Sequence, residues 1–142
     1  MARSKVILIA LAGVAAVAIG MGACLARPGE APPRAYDVSA RAKVQTLDNG
    51  ASYVAVATRF AASHGYTLKR GDFSVDGREV VNVRIVVGPE TFFDADNFLD
   101  AATVDLVVHS HSKRSEWSDP WNDLLMQLRG TMGESNVDVV VR

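Results

Sequence analysis

Residues 6–26, VILIALAGVAAVAIGMGACLA, carry no charge, and all sixteen acidic residues of the 142-residue chain come after them. A stretch with no polar face cannot lie as an ordinary surface helix or half-buried strand of a small domain, so the chain reads as two unlike parts. Arg3 and Lys5 precede the run, and Gly22 and Ala23 close it with small side chains. A charged start, a short apolar stretch and a small-residue end describe an export signal. Read as far as Ala26, the run also reaches the roughly 20 apolar residues of a membrane span. An uncleaved anchor helix is therefore the rival reading, with Arg3 and Lys5 holding the amino terminus in the cytoplasm and the domain exported all the same.

Cys24 is the only cysteine, so it has no partner for an internal disulfide. Met21-Gly22-Ala23-Cys24 resembles the lipobox of bacterial lipoprotein precursors, where two small residues precede the cysteine; the family usually has Leu where Met21 stands. The resemblance covers about the first 25 residues. It implies a signal peptide over 1–23, diacylglyceryl transfer to the Cys24 thiol, cleavage before Cys24 and acylation, by palmitate or a similar chain, of the new amino group. Each buried methylene then contributes about 0.8 kcal/mol, and two or more chains hold a protein stably on a lipid bilayer. Leu25 rather than Asp follows the cysteine. In a Gram-negative cell that choice implies a cell-envelope location on the periplasmic face of the outer membrane.

Residues 27–35, RPGEAPPRA, hold three prolines and a glycine. Such a segment stays extended and builds no core, so 24–35 reads as an acylated cysteine and its tether. What remains, 36–142, is enough for one globular domain and too little for two. Without residues 1–23 the chain has thirteen basic residues against sixteen acidic, a net −3. That balance argues against a nucleic-acid partner, which calls for a clustered basic excess.

Within the domain, Asp48 or Asn49 can cap a helix whose apolar positions are Tyr53, Ala57, Phe60 and Ala61, with His64 next in line and Gly65 as the stop. Val38, Ala42 and Leu47 before it fit either a turn or an edge strand. A hairpin follows, from Leu68–Val75 through Asp76-Gly77 to Glu79–Val87, because that dipeptide suits a two-residue turn needing positive φ. Gly71 is a candidate bulge, and Gly88-Pro89 ends the return strand. Thr103–Ser110 alternates as a third strand, with Val104, Leu106 and Val108 inward. Asp119-Pro120 reads as the start of a second helix with Trp121, Leu124, Leu125, Leu128 and Met132 as its buried stripe and Gly133 as its end. Val137, Val139 and Val141 make a last strand. The order α-β-β-β-α-β predicts an α+β two-layer sandwich, a four-stranded, mostly antiparallel sheet with both helices on one face. The last helix would be a parallel crossover between the third and fourth strands.

Chemistry is thinly supplied. His109 and His111, two apart on a strand, would leave by one face and form a metal-ligand pair, but Lys113 shares that alternation and would repel a cation. Asp94-Ala95-Asp96-Asn97 opens like a calcium loop. It has Phe98 where an oxygen ligand is needed and Leu99 where the turn needs glycine. No Gly-x-Ser-x-Gly elbow or glycine-rich phosphate loop is present, so no catalytic residue, metal or cofactor is assigned. The carboxylates of Glu116, Asp119 and Asp123 suit the positive end of a helix. Between two strands lies TFFDADNFL, a long connection of the kind that often carries function. Phe92, Phe93 and Phe98, with Trp117, are candidate anchors for a protein partner. The plainer account, which we favour, folds the three phenylalanines back into a small core. The sequence thus predicts a non-enzymatic envelope lipoprotein that binds a protein, as an assembly component or as an inhibitor or immunity protein. The alternative is a metal-dependent envelope enzyme or metal-binding protein using His109 and His111.

Overall fold

The computed structural model describes residues 37–140; Cys24, the tether and Val141 lie outside them. Two helices pack on one face of a mostly antiparallel sheet, so the broad α+β class holds. The sheet has six strands among the described residues, however, and not four. Of the two additional strands, one lies where the sequence fits either a turn or an edge strand, and the other where it reads as a connection.

The first is β1, Asp37–Gln45. Its alternation is quiet, because small Ala42 stands beside Val44 on the buried side while Arg41, Lys43 and Gln45 face solvent. It is an interior strand, paired with β7, Thr103–Ser110, on one side and β8, Val137–Val140, on the other. The chain then turns through Asn49 and Gly50 at φ 54° and 83° into α1, Ala51–His64. Gly50 is required twice over: its φ is left-handed, and a Cβ there would meet Val81 Cγ2 at 3.3 Å. Asp48 still serves the helix start, accepting the Ser52 amide at 3.1 Å. Tyr53, Val56, Ala57, Phe60 and Ala61 are buried, and left-handed Gly65 ends the helix as its sequence predicts.

The hairpin keeps one register throughout. β2, Thr67–Arg70, pairs with β5, Asn82–Gly88, and the same offset continues into β3, Phe73–Val75, against β4, Arg78–Val80. Asp76 and Gly77 turn at φ 50° and 76°, as expected. Gly71 marks no register shift. The ladder is instead interrupted on both arms, because side chains take over its donors: Asp72 accepts the Asn82 amide at 3.0 Å and Asn97 accepts the Val81 amide at 2.8 Å.

The larger correction is β6, Thr91–Asp100. The stretch read as a connection is a strand between β5 and β7, the latter Thr103–Ser110. Thr91, Phe93, Ala95 and Asn97 point inward and Phe92, Asp94 and Asp96 outward. Asp94 and Asp96 follow strand alternation, which is incompatible with a wrapped calcium loop. Phe93 is fully buried and its ring meets Phe60 of α1 at 6.5 Å and Trp121 of the second helix at 5.7 Å, which places both helices over one face.

That second helix, α2, runs Arg114–Met132 and starts five residues before the expected Asp119 cap, carrying Pro120 inside it. An internal proline costs about 3 kcal/mol. Burying the 150–250 Å² of a tryptophan returns up to about 4–6 kcal/mol. Trp117, 5% exposed, is held in the core only if the extra turns form. After a 3₁₀ turn, β8, Val137–Val140, pairs antiparallel to β1. β7 and β8 therefore run parallel with β1 between them, a split crossover where adjacency was expected. The strand order is β2-β5-β6-β7-β1-β8. No helix among the described residues is long and apolar enough to cross a membrane.

Candidate functional site

No helix of the described residues covers the sheet's second face, and its side chains lie in rows set by the register. One row crosses four strands as Val86, Phe92, His109 and Val38; the next is Arg84, Asp94, Val107 and Arg41; the third is Asn82, Asp96, Asp105 and Lys43. Arg84 grips Asp94 with both nitrogens, at 2.6 and 2.7 Å, and its guanidinium lies 4.7 Å over the Phe92 ring. His109 Nε2 stands 3.7 Å from Asp94. Together with Lys69, Arg70, Gly71, Asn82 and Asp96 these groups border a shallow depression of about 410 Å³. It is a salted, flat surface. Arg84 and Asp94 answer each other across strands, which leaves little of their field directed at a ligand.

The histidines do not converge there. His111 follows the end of β7, and its amide bonds to Glu90 O at 3.1 Å rather than continuing the ladder. His64 is on α1, where Nε2 meets Asp123 Oδ2 of α2 at 2.6 Å and the ring stacks 5.2 Å from Tyr66. Among the described residues no three His, Cys, Asp or Glu side chains gather at metal-binding spacing. Among the described residues the fully buried titratable hydroxyl is Tyr53, which has no hydrogen-bond partner among them. Burial first, and then the Asp94 carboxylate across the sheet, push its ionisation well above the ordinary tyrosine range. It lies in the core and offers no nucleophile.

The four aromatic candidates separate cleanly. Phe93 and Trp117 are core residues, as the favoured account of the phenylalanines had it for Phe93. Phe92 is half-buried under Arg84 on the open face. Phe98 alone stands out, 48% exposed, with Leu99 beside it at 82%. It leaves the strand because the β6–β7 register shifts between Asp96 and Asp100, which lifts residues 97–99 out of the ladder.

This tip is firmly built. Asn97 is fully buried and uses every polar arm, accepting from Val81 N and donating to Asn49 Oδ1 at 2.8 Å and Ala101 O at 3.2 Å. Arg78, from the hairpin, donates to Asn97 O at 2.9 Å and to Phe98 O at 2.6 Å. Asp96 accepts the Phe98 amide at 3.0 Å. The Phe73 ring, itself partly exposed, meets the Phe98 ring at 6.2 Å. Leu47, fully exposed, follows the end of β1, where the Thr46 amide bonds to Ala102 O at 2.7 Å. No family model and no curated protein matches this chain. Function must therefore be argued from these surfaces. Phe73 and Leu47 were not among the sequence candidates; their signal was an apolar side chain beside a predicted turn, too common to single out.

Proposed function

We propose that this is a cell-envelope lipoprotein whose domain is a non-enzymatic protein-binding module, held to a bilayer through acylated Cys24 and engaging its partner through Phe98 and Leu99. The anchor rests on the lipobox resemblance. The binding role rests on one observation, a pair of large apolar side chains exposed on backbone that is fixed on both sides by Asn97 and Arg78. Rigid apolar anchors suit binding, since little conformational entropy is lost when they enter a pocket. A flexible tip with the same residues would give up much of that advantage. An assembly component and an inhibitor or immunity protein would use such a tip alike, and the partner's identity separates them.

The test is affinity purification of the full chain from detergent-solubilised envelopes, with metal content measured on the same sample. A stoichiometric protein present with the native chain and lost with Phe98→Ser plus Leu99→Ser supports the module. Retention of that protein by the variant moves the site elsewhere, and a metal-loaded chain without a partner overturns the reading. Cys24→Ala is expected to leave the domain folded and to abolish the mass added by acyl chains.

A further inference from the structure

Resting on that reading, we infer what the tip's partner looks like: a protein surface with an apolar pocket bordered by lysine or arginine. The charge around the tip carries this.

Phe98 and Leu99 are bracketed by Asp96 and Asp100. Both carboxylates are fixed in place, Asp96 by the Phe98 amide and Asp100 by the Ala102 amide at 3.0 Å and the Thr103 hydroxyl at 2.9 Å. Arg78, a cation near the tip, donates to the backbone carbonyls beneath it and sets one positive charge against the two carboxylates. An apolar tip bordered by carboxylates is repelled by anionic headgroups and by acidic protein surfaces, and is matched by a basic rim.

The experiment places the photo-crosslinking residue benzoylphenylalanine at Phe98 of the full chain in intact envelopes, with the exposed helix position Ala55 as control. The expected result is one discrete protein adduct from Phe98 and none from Ala55, its crosslinked peptide containing lysine or arginine near apolar residues. The adduct yield should fall at least fivefold in Asp96→Asn plus Asp100→Asn, substitutions that keep an oxygen acceptor for the backbone amides. An adduct whose yield ignores that neutralisation overturns the basic-rim inference while leaving the tip as a binding site. A lipid adduct or a crosslink to a second copy of this chain overturns the inferred partner. A protein adduct from Ala55 with none from Phe98 overturns the tip itself.

Discussion

The two faces of the sheet are made from alternate residues of the same strands, and they follow opposite rules. Under the helices, Val83, Ile85, Phe93, Leu106 and Val108 are buried to completion, and among the described residues no charged side chain is buried with them. On the open face the same strands present Arg84, Asp94, Asp96, Asp105, Arg41 and Lys43 in register. Stability is concentrated on the first face, where area is removed from water, while exposed ion pairs on the second contribute little each. The difference teaches that Phe92 and Phe93, adjacent and chemically identical, belong to different parts of the energetics.

The sharpest test of that contrast is a pair of truncations. Phe93→Ala and Trp121→Ala should each cost about 3–5 kcal/mol, read as a fall in the denaturant midpoint at unchanged slope. Phe92→Ala should cost under about 1 kcal/mol. Equal losses from the two phenylalanines would mean that the open face is covered as heavily as the other.

Next in size is Asn97, a polar residue among the buried positions of β6. Asn97→Ala leaves the Val81 amide without its acceptor and the Asn49 side chain without a donor, at about 1–3 kcal/mol. Faster hydrogen exchange at Val81 and residues 97–101 should accompany it. If only global stability changed, the tip would not depend on Asn97 for its order.

Acid should act from the exposed side. Asp48, Asp72 and Asp100 ionise below the usual 3.8, held there chiefly by the Ser52 hydroxyl, the Arg70 guanidinium and the Ala102 amide respectively. A carboxylate depressed in the folded state adds stability above its unfolded value and loses it as pH falls through the folded one. The transition midpoint should therefore begin to drop below about pH 4, and Asp100→Asn should flatten that slope without altering stability near neutrality by much. A slope unchanged in the variant would remove Asp100 from the account.

The smallest expected effect is a gain. Asp96 and Asp105 stand directly opposite each other across β6 and β7, an unfavourable like-charge pair only partly offset by Lys43 across from Asp105. Asp105→Asn should raise stability by a few tenths of a kcal/mol, and by less at high salt. Destabilisation instead would show that Lys43 dominates the row.

Much of the domain could be read from local pattern. The helix from Tyr53 to its Gly65 stop, the Asp76-Gly77 turn, the end of β5 at Gly88-Pro89 and the whole of β7 have strong periodicity or strong punctuation, which act over a few residues. β1 and β6 were hidden because their inward positions hold Ala42, Thr91, Ala95 and Asn97, which look polar or indifferent until neighbouring strands supply their partners. The early start of α2 was hidden for a similar reason. Asp119-Pro120 is a good local start signal, and only the long-range burial of Trp117 outweighs it.

The candidate site was the least legible part. Four aromatics were named, and the sequence placed no order among them, since exposure depends on which side of which pairing a residue falls. Local sequence determined the two-part character of the chain, its charge, its helices, one hairpin turn and the α+β class. Tertiary structure alone decided that TFFDADNFLD is a central strand, that β1 separates β7 from β8, and that Phe98 and Leu99 leave the ladder while Phe93 goes under the helices. The physical reason is that propensity and periodicity are properties of a few consecutive residues. Burial, register and the satisfaction of a buried amide such as Asn97 are settled by groups tens of residues away.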